Sequence, residues 1–455
     1  MSKITSVNPA TGGVLASFET LDETAIEAAL DRAHAAQRHW AQQPIPIRQT
    51  ALRNLAKTLR EGAERYAVLI TAEMGKPLEE ARAEIEKCAV TCEHYAQHGP
   101  AYLAPEPAKT SASESYVAYD PLGVVLAIMP WNFPFWQFFR FAAPAIMAGN
   151  GMLLKHASNV PQCALAIEEA CAQVGLPEGL MRTLLIGADQ VEAVIADPRV
   201  AAVTLTGSSA VGAKVAAQAG GLLKKQVLEL GGSDPFIVLA DADIAAAAKA
   251  AVTSRFRNAG QSCIAAKRFI VVEAVADAFA AAFLKEIEAL VVGDPAKDGV
   301  TVGPLARANL RDDLIAQVEA SVRQGARVLT GGHAIDGPGF FYAPTLLDRV
   351  TPDMPVFAQE TFGPAAALIR AKDVEDAVRL ANDTEYGLGA AIWSRDTAAA
   401  QALARRIEAG SVFINAVVAS DPRVPFGGVK RSGYGRELAA QGLHEFTNVK
   451  TVWVA

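Results

Sequence analysis

Cysteine is scarce in this chain. There are five in 455 residues, at positions 88, 92, 163, 171 and 263. An odd, thin count does not build a disulfide framework. A basic excess is also missing: 42 Lys and Arg stand against 49 Asp and Glu, for a formal net charge of -7. Nucleic acid and anionic membrane surfaces are therefore not expected partners. No uninterrupted greasy run exists. The best stretch, 123–149, is broken by Pro130, Asn132, Pro134, Gln137, Arg140 and Pro144, which excludes a membrane span. The opening Met1-Ser2-Lys3-Ile4-Thr5 lacks the apolar segment of a signal peptide. Charged residues make up only 20% and apolar ones 51%, so disorder is excluded. A reducing, cytoplasmic setting is expected, and one of the thiols can be reactive rather than structural.

What is there reads as an α/β protein of two or three domains. The first hundred residues carry apolar residues at helical spacing, as in Leu52, Leu55 and Leu59. A short strand is expected at Ser115–Tyr119 and a turn at Asp120–Gly123. Continuous apolar strands then alternate with helices: strands at Val124–Ile128, Met152–Leu154, Thr183–Ile186 and Ala202–Leu205, with helices at Phe135–Met147 and Ala164–Val174. Strands apolar on both faces imply a parallel sheet. A second series starts at Pro235–Leu239, with helices Ile244–Phe256 and Ala276–Leu290 and strands Phe269–Val272, Ala326–Leu329 and Val412–Ile414. A boundary is expected near Gly231-Gly232-Ser233.

Three turns hold chemically capable residues. Gly260-Gln261-Ser262-Cys263 follows a helix. A Cys among small residues and backbone N–H groups favours thiolate, although a lone Cys is more often a small buried hydrophobe. Leu228-Glu229-Leu230-Gly231-Gly232 puts an acid at the end of an apolar strand. Apolar walls raise a carboxyl toward the range useful for a base. Pro130-Trp131-Asn132-Phe133-Pro134 fixes an amide between two prolines, as an oxyanion hole requires.

Together with Leu205-Thr206-Gly207-Ser208, Glu360-Thr361-Phe362-Gly363-Pro364 and Pro425-Phe426-Gly427-Gly428-Val429-Lys430, these segments resemble the aldehyde dehydrogenase superfamily, in its order and over essentially the whole chain. The resemblance implies two Rossmann-like parallel-sheet domains plus a small β oligomerisation element. It implies a cofactor domain over 1–110 and 122–232, a catalytic domain over 233–424, and oligomerisation segments at 111–121 and 437–455. A homodimer or homotetramer is expected. The implied chemistry is covalent. The Cys263 thiolate attacks the aldehyde, the Asn132 amide and the Cys263 N–H hold the oxyanion, hydride leaves to the nicotinamide, and Glu229 activates water to cleave the thioester.

The resemblance also assigns a cofactor site for NAD or NADP. Its residues are Met129, Pro130, Trp131, Lys155, Ser158, Gly187, Gly207, Ser208, Val211, Leu230, Gly231, Glu360 and Phe362. The Gly207 to Gly212 spacing puts pyrophosphate near a helix N-terminus. Where NAD-preferring members often carry Glu, this chain has Ser158, so NADP should be tolerated. For the substrate, Arg140 and Arg257 are candidates to clamp a distal carboxylate, with Ser420 as a weaker third. Their offsets match succinate semialdehyde dehydrogenases, most like bacterial ones, and point to succinic semialdehyde or a close ω-oxo acid. A broader aldehyde specificity is the alternative. A Cys-dependent hydrolase would need an activating His, and none is evident.

No metal is expected. Cys88, Cys92, His94 and His98 share one helix, but His94 lies roughly 200° round from Cys92. His444-Glu445 lacks the second His of a zinc helix, since position 448 is Asn.

Overall fold

The computed structural model describes residues 3–455; Met1 and Ser2, part of the opening read as lacking a leader, lie outside the described residues. The chain begins with an antiparallel hairpin, Lys3–Val7 paired with Val14–Glu19. Sequence periodicity predicts only helices here. The hairpin is missed because its second strand is mostly exposed and so carries no strong apolar alternation. Four helices follow, Glu23–Trp40, Ile45–Glu61, Ala63–Met74 and Leu78–Tyr102. Asp22 starts the first by accepting the Ala25 N–H at 2.8 Å, and Gly75, at φ 81°, ends the third.

Among the described residues, a six-stranded sheet is built around the strand Val124–Met129. Five of its six residues are buried, which is why it reads as an unbroken apolar run. Parallel strands Gly151–His156 and Met181–Thr183 lie on one side of it, and Val200–Thr206 and Lys225–Glu229 on the other. The strand expected at 183–186 is a correction: the strand covers Met181–Thr183, where the backbone meets Gly151–His156, and beyond it only the Leu184 N–H still reaches that neighbour, at the Leu154 carbonyl (2.8 Å). Helix Pro134–Ala148 is buried along its whole length, with Pro134 in its first turn and Gly149 (φ 94°) closing it.

Between Glu229 and Asp234 the chain leaves this sheet for a seven-stranded one, centred on the parallel strands Asp234–Val238 and Ala266–Val272. The edge strand Arg327–Thr330 runs antiparallel to Thr345–Asp348. It departs from the alternating parallel series expected, because both faces of an edge strand need not be buried. The chain then returns to the first sheet, where Gly433–Tyr434 pairs with Leu228–Glu229. Finally Thr447–Val454 lies antiparallel to Glu114–Pro121 in a three-stranded sheet.

Candidate active site

The thiol turn is held by groups that sequence reading does not reveal. After helix Ile244–Phe256, Asn258 and Ala259 both adopt φ 52° and Gly260 φ 74°. A Cβ at Gly260 would stand 2.4 Å from the Gly363 carbonyl oxygen, so glycine is required. The buried Arg255 guanidinium donates to the carbonyls of Gly260 (3.2 Å), Ala266 (3.2 Å), Thr361 (3.0 Å) and Gly363. It thereby ties the thiol turn to the Glu360–Pro364 loop. Buried Lys267 donates to the Ser262 and Cys263 carbonyls, each at 2.9 Å.

Cys263 is partly exposed, whereas the other four cysteines are buried. Burial of the sulfur pushes its thiol up to about 12, with Arg140 and Lys267 opposing. Desolvation thus opposes the thiolate, while the Arg140 and Lys267 charges favour it.

Asn132 sits beyond the strand Val124–Met129 and is 4% exposed. Its Nδ2 donates to the Gln261 carbonyl at 3.1 Å, and its backbone carbonyl accepts from Asn258 Nδ2 at 2.9 Å. One hydrogen bond thus ties the side-chain amide to the thiol turn, and a second ties its backbone there. One Nδ2 hydrogen remains for a developing negative charge. Asn258 is a positioning residue that the sequence does not mark, since its role depends on a left-handed backbone.

Glu229 ends its strand 2% exposed, with neither carboxyl oxygen hydrogen-bonded to protein. Burial first, and the nearby Glu437 second, hold its carboxyl well above the usual range, against Arg140 and Arg436. A Cβ at Gly427 would lie 2.7 Å from Glu229 Oε1, which explains the glycine after Phe426.

A cavity of about 120 Å³ is lined by Cys263, Phe133, Trp136, Arg140, Arg257 and Ser420. All three residues expected to bind substrate meet the same cavity as the thiol. Two are already engaged. Arg140 is paired with Glu437, both side chains 2% exposed, and its Nη2 donates to Thr206 Oγ1 at 3.2 Å. Ser420 Oγ accepts from Lys87 Nζ at 2.7 Å. Arg257 is exposed at the cavity's edge. Arg140 therefore meets the cavity with a counter-ion already in place, which the sequence does not signal because Glu437 is far along the chain. Glu437 is brought in by a backbone bridge to Phe426, 2.7 Å in each direction.

The strand order changes direction between Val124–Met129 and Val200–Thr206, where the chain first builds outward on one side and then on the other. The carboxyl ends of strands at such a switch point open a crevice for a dinucleotide. Pro130, Trp131 and Lys155 stand at one rim and Gly207 at the other. Helix Ser209–Gly221 points its N-terminus there, and Ser208 Oγ caps it by accepting the Val211 N–H at 3.4 Å. A Cβ at Gly212 would stand 2.4 Å from Leu230, so the helix packs tightly on that residue. Lys155 is half-buried and its ammonium is lowered by burial; Ser158 is exposed. Met129 is 2% exposed and supports the strand end. The Gly187 N–H is taken by Gln190 Oε1 at 3.1 Å.

Glu360 Oε1 accepts the Gly232 N–H at 3.0 Å and lies 3.6 Å from Lys267 Nζ. A Cβ at Gly231 would meet Glu360 Oε2 at 2.4 Å. Trp131 and Phe362 meet edge to face, with ring centres 5.8 Å apart. These residues fit a nicotinamide dinucleotide: a helix N-terminus suited to pyrophosphate, a lysine and a hydroxyl able to bond sugar oxygens, and an acid and aromatic ring by the thiol. The Cys88 to His98 region is otherwise used. Cys88 and Cys92 are fully buried, and His94 packs on His98 and bonds Tyr102 Oη at 3.3 Å. Among the described residues, no group of three or more His, Cys, Asp or Glu is arranged to hold a metal ion. No described helix is long and apolar enough to cross a membrane.

A switch-point crevice meeting a partly exposed thiol with a buried carboxyl and amide fits an oxidoreductase working through a cysteine. Residues 1–452 match the aldehyde dehydrogenase family, and the chain belongs to it. A probable NADP+ succinate-semialdehyde dehydrogenase of Synechocystis is 51% identical over 452 residues, covering 99% of this chain and 100% of that protein. An NAD(P)+ succinate semialdehyde dehydrogenase of Escherichia coli is 52% identical over 448 residues, covering 98% and 97%. The crystal structure of a Streptococcus pyogenes succinic semialdehyde dehydrogenase with NADP+ superposes with a TM-score of 0.97 at 39% identity, covering 99% of both chains.

Proposed function

We propose that this enzyme oxidises succinic semialdehyde, or a close ω-oxo acid, to the carboxylate with NAD(P)+. The observation that carries the reading is the shared cavity. Cys263, Arg140 and Arg257 line it, so an aldehyde held at the sulfur has cationic groups within one small space.

In this reading the Cys263 thiol gives its proton to solvent water and its sulfur bonds to the aldehyde carbon. The alkoxide oxygen takes the free Asn132 N–H and the Cys263 backbone N–H. The bound nicotinamide supplies the acceptor for the hydrogen and electron pair of the aldehyde carbon. Cys263 is left as a thioester. Glu229 passes its proton out, then takes one from water as the water oxygen attacks the thioester carbon; the C–S bond breaks and the sulfur regains a proton. A carboxyl raised by burial is suited to this, being a stronger base than an exposed one.

The Arg140–Glu437 pair favours a second reading, because a neutralised arginine attracts a carboxylate less. Under it, uncharged aldehydes are taken equally well. Steady-state kinetics decide. The first reading predicts kcat/KM for succinic semialdehyde at least tenfold above butanal, and a raised KM for the oxo acid alone in Arg257→Ala. Equal kcat/KM for the two aldehydes overturns it. A homodimer through the Glu114–Pro121 and Thr447–Val454 sheet, and a cytoplasmic setting suited to five free thiols, complete the proposal.

A further inference from the structure

The cavity holds a third cation that neither the sequence nor the two arginines suggest. Lys87 lies on helix Leu78–Tyr102 and lines the same space as Cys263. Its Nζ donates to Ser420 Oγ at 2.7 Å and stands 4.1 Å from the centre of the Trp136 ring. An ammonium has three donors, so two remain. Lys87 forms no ion pair within 4 Å among the described residues.

The acids nearest in sequence are committed elsewhere. Glu84 Oε1 accepts the backbone N–H groups of Phe135 (2.9 Å) and Trp136 (3.0 Å), and Glu84 Oε2 is paired with buried Lys76. Glu80 Oε2 accepts the Asn258 N–H at 2.8 Å. Arg140, across the cavity, has Glu437. The cavity therefore contains a cation, half-buried and stacked on indole, whose counter-ion the protein does not supply. Ser420, accepting from Lys87, has its own O–H left to donate.

We infer that Lys87 is a specificity-determining residue of this cavity, its ammonium receiving the distal carboxylate of the ω-oxo acid together with the Ser420 hydroxyl. The inference rests on the oxo-acid reading of the substrate. Burial pushes the Lys87 ammonium down to about 8, helped by Arg140 and Arg257 and opposed by Cys88 and Glu84. Glu80 and Cys263 also face the cavity, and the Val417–Ser420 loop adds no titrating group. The cation is thus present below pH 8 and lost above it. A carboxylate in contact favours the charged form.

The test compares wild type, Lys87→Met and Lys87→Arg on succinic semialdehyde and butanal. A charge-assisted contact is worth roughly 10- to 100-fold in kcat/KM. Lys87→Met is expected to lose that factor on succinic semialdehyde, mostly in KM, and no more than about threefold on butanal. Lys87→Arg should retain most of the activity on both. In wild type, KM for the oxo acid should rise above pH 8 while KM for butanal stays flat, and Lys87→Arg should remove the rise. Parallel losses on both aldehydes in Lys87→Met, with wild type still preferring the oxo acid, overturn the Lys87 role alone. A wild type without that preference overturns the substrate reading and this inference together. Should Lys87→Met fail to fold, the pH dependence of KM in wild type and Lys87→Arg decides: identical profiles refute the role.

Discussion

Glu437→Gln is the most informative single change outside the reacting groups. Arg140 and Glu437 are both 2% exposed and form an ion pair in the wall behind the cavity. The guanidinium also lies 4.8 Å from the Phe426 ring centre and donates to Thr206 at 3.2 Å. Those contacts fix its position but supply no full charge. Removing the carboxylate leaves a buried cation without its partner, which costs about 3–5 kcal/mol. At 2–4 °C per kcal/mol, as for domains of 150–250 residues, Tm falls by roughly 6–20 °C. Removing both charges is different: Arg140→Met with Glu437→Gln leaves no buried charge, only a buried amide costing about 1–3 kcal/mol, and should regain part of the loss. A double-mutant cycle by thermal and urea unfolding measures the coupling. A single variant that melts within 2 °C of wild type refutes the reasoning. So does a double variant as unstable as the sum of its parts.

Two further outcomes follow from the site. Ser158→Glu should penalise NADP far more than NAD in steady-state assays, because a carboxylate repels a 2'-phosphate; equal loss with both cofactors counts against placing Ser158 at the ribose. Glu229→Gln should release about one NAD(P)H per site in a rapid burst and then turn over roughly 10²–10⁴-fold more slowly, since acylation precedes the step that needs the base; a wild-type steady state would remove Glu229 from the mechanism.

The parts of the molecule legible in sequence are those where a local pattern carries the information. Strand Val124–Met129 is apolar on both faces and reads as buried. The turns around Asn132, Glu229 and Cys263 are marked by Pro and Gly, whose backbone roles the structure explains: Gly260 at the Gly363 carbonyl, Gly231 at Glu360, Gly427 at Glu229. Charge pairing is not local. Arg140 was readable as a residue near the site, but Glu437 reaches it only through the bridge to Phe426. Lys87 looks like any polar residue of an amphipathic helix, and its exposure to a cavity depends on the Pro134–Ala148 helix packed beside it. The walls around the Cys263 sulfur are equally non-local: Ser262 and Gly260 give no measure of the burial that opposes its thiolate.

The central claim is that the reaction passes through a bond to Cys263. Aldehyde-dependent NAD(P)H formation by folded Cys263→Ala measures it directly. The account predicts a rate at the background of the assay with succinic semialdehyde and either cofactor; turnover near that of wild type would contradict it.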